Sequence, residues 1–377
     1  MTPAHVVARA RPDGPLCPPG WDDTVRGTPD ADVTQLSGWA RLRALAGHRA
    51  EHLPGPAGAD GPAGVMVLSR RIPLLGPAAY VSGGPVVAPA GADRAAQVAA
   101  LADALAGYAR RRAAMLVVQP PYGADDVSAA LRERGFRPAT TTVAPAASVR
   151  VDLTRDEAAL RAGLSKRLRT WTNRWAERGV TVRTATGDDL AAVARLLAGT
   201  ARRQGFRAVG EGYLRALCAE LVAHGDAVIR IGEAGGVPAA VDVLTVCGGS
   251  ATVRFVGSDL SGPAGALNVT AAVRWDSMLW ARAAGLRWFD LGGVRPQTAA
   301  AIGSGPALCR DEVADVDRAK LRYGGELHRR PPAVELVPGR VVRTVYDGVR
   351  SSRRGRDALS RAAALVRAGV GGGSAGQ

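Results

Sequence analysis

Two pairs of glycines bracket a stretch near the carboxyl terminus that constrains the fold more than any other part of this 377-residue chain. The first pair, Gly292-Gly293, follows the mostly apolar residues 288–291, Trp-Phe-Asp-Leu, which are typical of the end of a buried strand. The second pair, Gly324-Gly325, follows residues 311–323, which the pattern predicts to be a short helix. Glycine tolerates a positive φ and the close approach of a ligand. We therefore expect a strand that turns sharply or meets a ligand, and a helix that the second pair stops.

Lysine is almost absent from the chain. Of the 49 lysines and arginines, only Lys166 and Lys320 are lysines. A lysine that survives among so many arginines suggests a need for its compact, strongly hydrated ammonium group. Lys320 lies inside the bracketed stretch, so we interpret it as a functional residue. The alternative is a solvated residue on the surface of a helix.

The bracketed stretch also carries a motif. The segments Phe289 to Val294 and Lys320 to Gly325, separated by an insert, resemble the motif of the Fem family (FemABX-like) of aminoacyl-tRNA-dependent peptidyltransferases. Those enzymes have two GNAT-type acyltransferase domains in one chain, and they move an amino acid from tRNA onto an amine of a peptidoglycan precursor or of a peptide natural product. Ala319 departs from the pattern, because the family has an aromatic residue before the lysine.

The resemblance implies roles for the residues of this motif. Lys320 would be the main electrostatic catalyst. Asp290 is the best-placed carboxylate for catalysis, and its alternative role is to cap the adjacent turn. The residues of the motif that would contact substrate are Gly292, Gly293 and Tyr323.

Weaker resemblances to the same family extend over roughly residues 33–340. The segment 35–47 resembles the family's opening segment, whose basic residue often contacts the phosphates of the precursor, and an arginine can still bind a phosphate there. The segment 200–206 resembles a segment that helps to hold the acceptor. Many relatives have an aspartate where this chain has Gln119, so a general base cannot be carried over to that position. The remaining substrate-binding residues implied are Trp39, Arg43, Gln119, Arg203, Phe206 and Tyr213.

A basic helix is predicted over residues 156–178, with Trp171 and Trp175 four residues apart on one face. Its segment 164–169 resembles the family's Leu-Ser-x-Lys-x-Arg run. One interpretation is a basic ridge that binds the acceptor end of tRNA. An equally good alternative is that the tryptophans belong to the core and the arginines form a solvated face. The residues of the predicted ridge are Lys166, Arg167, Arg169 and Arg174.

Composition limits the partners and the compartment. The net charge of +15 and the pI near 10.8 favour a polyanionic partner, although an arginine-rich proteome is an alternative cause. The four cysteines form no C-x-x-C pair, and His48 and His52 lack a third ligand, so neither a disulfide framework nor a metal site is expected. The amino terminus does not resemble a signal peptide, and no apolar run approaches the length of a membrane span. We expect a cytoplasmic protein without a cofactor.

The order of predicted elements repeats once along the chain and indicates an α/β fold of two tandem GNAT-like acyltransferase domains. We expect mixed sheets flanked by helices, and no long coiled-coil arm. The predicted parts are a loosely ordered segment over 1–30, a first domain over 31–153 that ends in a strand at the seam, a second domain over 154–345 with the Lys320 motif, and a basic, flexible tail over 346–377.

The predicted function is transfer of an amino acid from aminoacyl-tRNA to an amine of a peptidoglycan precursor or of a peptide-type secondary metabolite. The alternative is an N-acyltransferase that uses acetyl-CoA or another acyl-CoA, since the domain fold would be the same. Such enzymes bind a pyrophosphate on a glycine-rich loop that opens a helix. The corresponding segment here, 259–266, contains Pro263, which removes a donor. A non-catalytic RNA-binding protein is disfavoured, because only 5% of the residues are aromatic.

Overall fold

The computed structural model describes residues 16–58, 61–72, 76–173, 175–261, 265–302 and 315–355. Within these ranges the chain forms two mixed β-sheets with helices packed on them, which confirms the predicted α/β class. The strands are β1 (Arg49–Gly58), β2 (Gly61–Ile72), β3 (Gly76–Ser82), β4 (Met115–Gln119), β5 (Arg137–Pro138), β6 (Ala147–Asp152), β7 (Val180–Thr184), β8 (Ala227–Ala234), β9 (Val237–Cys247), β10 (Ser250–Ser258), β11 (Trp288–Gly293), β12 (Glu326–Arg329) and β13 (Val334–Leu336).

Each sheet contains one parallel pair of neighbouring strands. The first sheet has the order β1-β2-β3-β4-β13-β5, and the second has the order β12-β6-β11-β10-β9-β8-β7. The parallel pairs are β3 with β4 and β10 with β11, and the other pairs are antiparallel. The same plan therefore occurs twice, as the repeat in the sequence predicted.

Helices cover the sheets and join their strands. In chain order they are α1 (Trp21–Gly27), α2 (Ser37–Ala44), α3 (Ala92–Arg112), α4 (Asp125–Glu133), α5 (Glu157–Gly163), α6 (Lys166–Thr172), α7 (Leu190–Gln204), α8 (Glu211–Glu220), α9 (Val269–Ala283), α10 (Pro296–Ile302), α11 (Asp315–Leu321) and α12 (Arg340–Ser351). The helices between β7 and β8 are only 15 and 10 residues long, too short for a coiled-coil arm. No helix in the described ranges is long and apolar enough to cross a membrane.

The second sheet has one apolar face and one polar face, because side chains alternate along a strand. Val149 and Phe289 point into a core that also contains Leu160, Trp275 and Met278 from the helices α5 and α9. Their neighbours along the same strands, among them Arg150 and Asp290, are also buried but lie on the opposite side, toward the first domain. The alternation thus places charged groups between the two domains.

Strand pairing crosses the predicted domain boundaries. β6, which was expected to end the first domain, pairs with β11 and β12 of the second sheet. β13, which was expected in the second domain, pairs with β4 and β5 of the first sheet. The chain therefore joins the second sheet at β6, before residue 153, and returns to the first sheet at β13. Each of these two strands pairs with strands that are distant from it in sequence.

The amino-terminal segment differs from the expected loose order wherever the structure describes it. Trp21 in α1 is only 1% exposed, and its Nε1 donates a hydrogen bond to the Gln35 carbonyl at 2.9 Å. It packs with Leu36 and Leu42 into a core that also contains Leu214 and Ile229 of the second domain. Burial of this large side chain orders the segment from Trp21 onward. Residues 1–15 lie outside the described residues.

Two further predictions of local structure differ from the structure. The helix expected over 156–178 is interrupted, because Leu164 is extended and the Ser165 side chain accepts a hydrogen bond from the Leu168 N–H and so begins a new helix. The tail expected to be flexible from residue 346 continues α12 to Ser351, since Tyr346 is buried against β13. Residues 356–377 lie outside the described residues, as does the part of the helix predicted over 311–314.

Candidate active site

Lys320 belongs to helix α11, and its side chain contacts the end of strand β11. Its ammonium group donates a hydrogen bond to the Gly293 carbonyl, and its Nζ is 4.0 Å from Oδ1 of Asp317. A side chain at Gly292 would place its Cβ 4.0 Å from the same Nζ. The Lys320 side chain is 13% exposed, so α11 holds the cation against the backbone of the strand end. The two halves of the motif therefore meet in space.

The environment of Lys320 lowers the pKa of its ammonium group. Burial lowers the pKa of Lys320 below its ordinary value of 10.5, while Asp317 opposes the shift and Arg274 adds to it. Asp290 raises this pKa and Arg295 lowers it, each by less than the other groups do. The result is an ammonium that gives up a proton more readily than a solvated lysine does.

The strands β10 and β11 separate beside this lysine. They pair over only three residues, and the last pair is Thr252 with Asp290. Beyond it β11 continues to pair with β6 alone, and Gly293 lies opposite Ser148 after an irregularity in register. Gly292 has a φ of +91°, and a side chain at Gly293 would clash with Pro145. The first glycine pair is therefore required by the backbone that opens the two strands.

Asp290 is the centre of a buried hydrogen-bond network. Its Oδ1 accepts from the Gly292 N–H at 2.8 Å, so it caps the turn, as the alternative interpretation of this residue expected. Its Oδ2 accepts from Ser148 Oγ at 2.8 Å and from Tyr122 Oη at 3.3 Å, and those two hydroxyls are 2.6 Å apart. Tyr122 belongs to the loop after β4, so this network joins the two domains. The sequence reasoning missed both Tyr122 and Ser148, because neither stands in a motif.

A cluster of ion pairs lies next to this network between the two domains. Asp32 accepts hydrogen bonds from Arg254 at 3.0 Å and from Arg330 at 3.2 Å. Asp30 accepts one from Arg150 at 2.7 Å. Burial opposes ionisation of Asp32, but the two guanidiniums outweigh it and keep the pKa of Asp32 well below its usual range. These contacts hold the two domains together in the described conformation.

The cluster surrounds a cavity too small for a substrate. Arg150 and Arg330 both stack on the ring of Tyr122, with their guanidinium carbons 4.5 and 4.2 Å from its centre. Nε of each arginine is buried without a hydrogen-bond partner in the described residues. The cavity that these side chains share with Asp290 has a volume of about 20 Å³, which is room for about one water molecule. A ligand larger than a water molecule can enter here only if the ion pairs open.

The acceptor residues expected in the first domain are mostly buried. Arg254 stacks on Trp39 with its guanidinium carbon 5.5 Å from the ring centre. Arg43 is 6% exposed, and its Nη2 lies 3.3 Å from Nε2 of His48. Gln119 is 1% exposed and donates to the Pro331 carbonyl at 2.6 Å, while its Oε1 has no hydrogen-bond partner in the described residues. Gln119 therefore ties β4 to the segment that leads into β13.

Of the substrate-binding residues expected in the second domain, Arg203 and Tyr213 contact β10. Nη2 of Arg203 donates to the Ser258 carbonyl at 2.6 Å, which ties α7 to that strand end. Phe206 is 40% exposed, whereas Tyr213 is 7% exposed and meets Phe255 edge-on. Tyr323 is buried in the core, and burial raises the pKa of its hydroxyl to about 12. Of these residues, Phe206 has its side chain open to a ligand.

The predicted basic ridge lies beside the Lys320 segment. The Ser165 N–H, at the start of α6, donates to the Arg322 carbonyl at 2.8 Å. Lys166 and Arg167 are exposed, and Arg167 stacks on Trp171 at 4.3 Å. Arg169 instead donates to the Ala162 carbonyl at 3.0 Å and so caps the end of α5. Arg174 lies outside the described residues.

We expect Gly324→Ala to destabilise the protein more than an ordinary glycine substitution. Gly324 has a φ of +79°, and a Cβ there would lie 2.8 Å from the Gly163 carbonyl oxygen. Strain in this conformation costs about 1–2 kcal/mol, and the clash adds about 1–3 kcal/mol. Gly225→Ala is the matched control, since Gly225 has a φ of +77° and open space around it. Urea unfolding of both variants measures the difference, and equal losses would contradict the expected clash.

The described residues give little support for metal binding or for a cysteine nucleophile. No group of three or more His, Cys, Asp or Glu side chains there could hold a metal ion. Burial raises the pKa of Cys17 to about 12, and it also raises the pKa of Cys218 and Cys247, so these thiols are poor nucleophiles. Cys309 lies outside the described residues.

The fold and the geometry of the site define the structural class of this protein. Two mixed sheets, each with a parallel pair, and the separation of β10 from β11 beside Lys320 are features of a tandem GNAT fold. Residues 158–300 match the family model described as an acetyltransferase (GNAT) domain. A search of curated proteins finds no match.

Similar solved structures narrow the fold class further. The crystal structure of FemX is similar to this chain with a TM-score of 0.73 and 16% identity, over 87% of this chain and 96% of that chain. The C-terminal domain (DUF2156) of a putative lysylphosphatidylglycerol synthetase from Agrobacterium fabrum is similar with a TM-score of 0.53 and 16% identity, over 93% and 96%. L-PGS from Bacillus licheniformis is similar with a TM-score of 0.51 and 14% identity, over 90% and 99%. The chain therefore has a Fem-like GNAT fold.

Proposed function

We propose that this protein is a cytoplasmic aminoacyltransferase that moves an amino acid from aminoacyl-tRNA to an amine and forms an amide bond. The observation that carries the proposal is the position of Lys320 at the opening between β10 and β11, next to exposed Lys166 and Arg167 on α6. A cation beside an opened strand pair can hold a carbonyl group of the donor. Basic side chains at the rim suit the phosphates of a tRNA end.

The proposed reaction needs little chemistry from the protein, because the donor ester is already activated. The neutral amine attacks the ester carbonyl carbon, the new C–N bond forms, and the C–O bond to the tRNA ribose breaks. The amine loses a proton, and the ribose oxygen gains one. Lys320 would stabilise the negative charge on the carbonyl oxygen as it develops, by exchanging its hydrogen bond to Gly293 for one to the substrate. Asp290 would support this step indirectly, because its negative charge opposes the lowering of the Lys320 pKa and so favours the ammonium form.

The acceptor is proposed to be a peptidoglycan precursor or a peptide-type secondary metabolite. Gln119 and Ala319 replace residues that the Fem pattern has, and this favours a specialised acceptor. The buried amide of Gln119 supports a different arrangement of the acceptor, since it has no charge and is already bonded to Pro331. We infer that the acceptor enters between the domains when the ion pairs of Asp32 open.

We expect the rate of transfer to fall on the alkaline side at a pH below 10.5. The ammonium form of Lys320 is the active form in the proposal, and its lowered pKa means that the proton is lost earlier than in a solvated lysine. Below that pKa the cation is present, and above it the charge disappears. Single-turnover rates against pH measure this limb. In Lys320→Arg the limb should move to higher pH, and an unchanged limb would exclude Lys320 as its source.

The alternative donor is acetyl-CoA or another acyl-CoA, and the GNAT match over 158–300 is the observation that favours it. The segment where a pyrophosphate would bind, before α9, has residues 262–264 outside the described residues. Asn268 precedes α9 with a φ of 50°, and its side chain does not cap the helix. Transfer from each donor, measured side by side, separates the two.

The deciding experiment compares two labelled donors. The full-length protein is incubated with a panel of amine acceptors and either a pool of tRNAs charged with radiolabelled amino acids or labelled acetyl-CoA, with and without ribonuclease. Incorporation from tRNA that ribonuclease abolishes supports the proposed function. Incorporation from acetyl-CoA that ignores ribonuclease overturns it in favour of the alternative.

A further inference from the structure

A buried ion pair lies in the second domain between β9 and α9. Asp242 on β9 is 0% exposed, and Arg274 on α9 is 6% exposed. Nε and Nη2 of Arg274 donate to the two carboxylate oxygens of Asp242 at 2.5 and 2.9 Å. Replacing a buried pair of this kind by apolar side chains is often neutral or stabilising, because the two charges lose their hydration. Stability alone therefore does not account for this pair.

The pair reaches the segment that carries Lys320. The guanidinium carbon of Arg274 lies 5.8 Å from the centre of the Tyr323 ring. The Tyr323 N–H donates to the Lys320 carbonyl at 3.1 Å, so the ring and the lysine belong to one turn. Burial raises the pKa of Tyr323 to about 12, so its hydroxyl is neutral. Arg274 therefore brings a positive charge against this turn, and Asp242 fixes its position.

Several charged groups face Lys320 from the elements around it. Asp317 on the same helix and Asp290 on β11 favour its ammonium form. Arg274 on α9 and Arg295, which follows β11, oppose it. Burial is the largest cause of the lowered pKa of Lys320, and Asp317 and Arg274 follow in that order. Of the two arginines, Arg274 has the larger effect on this lysine.

We propose that Arg274, held in place by Asp242, is a positioning residue for Lys320, whose ammonium group it repels toward the Gly293 carbonyl at the end of β11. An ammonium directed there faces the opening between β10 and β11, where the carbonyl of the proposed donor would bind. Arg274 acts through Lys320 and does not touch the substrate. The inference rests on the proposed role of Lys320, but its test measures the lysine itself and needs neither donor nor acceptor.

The test follows the proton of Lys320 by NMR, in full-length protein that is isotopically labelled at the ε-carbon of lysine. The chain has only two lysines, so Lys166→Met leaves a single lysine signal and assigns it. The double change Arg274→Met and Asp242→Val removes both charges of the pair and should keep the fold. We expect the titration midpoint of Lys320 to move to higher pH, because the repulsion of its charged form is gone.

Asp242→Asn gives the opposite expectation. It keeps the shape of the side chain but leaves Arg274 without its counter-charge, and an arginine does not lose its proton in proteins. The positive charge is then felt more strongly at Lys320, so the titration midpoint should move to lower pH. A pair that only supported the packing would not shift the midpoint in opposite directions in these two variants.

The matched control removes a second ion pair of the same helix. Arg230 on β8 pairs with Asp276 on α9 and also donates to Thr184 on β7 at 2.7 Å. In the sheet, β10 and β9 lie between β8 and β11, so this pair is farther from the strand end that Lys320 contacts. The double change Arg230→Met and Asp276→Leu should therefore leave the midpoint of Lys320 where it is.

Circular dichroism and the unfolding temperature verify that each variant is folded. An unmoved midpoint in both variants of the Asp242 pair, shifts in the same direction, or an equal shift in the control would overturn the proposal. If the midpoints move as expected while Lys320→Met still transfers amino acids normally, the positioning by Arg274 is supported and the proposed role of Lys320 fails. The two ideas are therefore tested separately.

Discussion

Replacing Lys320 with methionine is expected to lower kcat for aminoacyl transfer by about 10²–10³-fold, with little change in KM for the charged tRNA. Methionine has a similar length but no charge, so it removes the stabilisation of the oxyanion and keeps the packing. Local structure should survive, because Asp317 still accepts hydrogen bonds from Thr298 Oγ1 and from the Arg295 N–H. Single-turnover rates and tRNA binding, measured side by side, separate the two effects.

Lys166→Met is the matched control for this result. Lys166 is the other lysine of the chain and is exposed at the start of α6. In the proposed function it contacts tRNA, so its loss should raise KM for the charged tRNA and leave kcat nearly unchanged. If Lys320→Met turned over normally with binding unchanged, Lys320 would not be the electrostatic catalyst.

Changing Asp32 to asparagine is expected to lower the free energy of unfolding by about 3 kcal/mol. The substitution keeps the shape of the side chain but leaves Arg254 and Arg330 without a counter-charge between the domains, and uncompensated charges of this kind cost about 3–5 kcal/mol. Arg330 is only 9% exposed, whereas Arg254 is 24% exposed, so we expect the lower end of that range. Urea unfolding at neutral pH measures the loss.

Asp23→Asn is the control for an ordinary surface pair. Asp23 is 83% exposed and lies 2.9 Å from Arg26, so its loss should change stability by less than about 1 kcal/mol. The pH dependence gives a second check. Because the pKa of Asp32 is below its ordinary value of 3.8, the stability that it contributes is present above pH 3.8 and is lost as the pH falls further. Asp32→Asn should remove that part of the acid dependence, and an unchanged acid limb would contradict it.

The motif residues were predictable because each belongs to a local pattern. Gly292 and Gly293 follow an apolar strand, and Lys320 stands out in a chain that has only two lysines. The structure brings Lys320 to Gly293. It also explains the second glycine pair, since a side chain at Gly324 would meet the Gly163 carbonyl. Local patterns therefore indicated the positions of these residues, although the neighbours that explain the glycines, Gly163 and Pro145, are distant in the chain.

The interdomain residues were not predictable in the same way. Arg150 and Arg330 look like any other arginine in an arginine-rich sequence, and Asp30 and Asp32 stand in a segment that was expected to have little order at its start. Their partners are more than a hundred residues away in the chain. Only the packing of the two domains brings these charges together, so no local pattern could indicate them.

The sequence by itself determined the α/β class, the repeated plan and the strand end where Lys320 lies, because periodicity and glycine conformation act over a few residues. The tertiary structure decided which sheet β6 and β13 complete and how Asp32 joins the domains. A strand forms from its own side chains, but its partner is selected by pairing with distant strands and by the burial that this pairing allows.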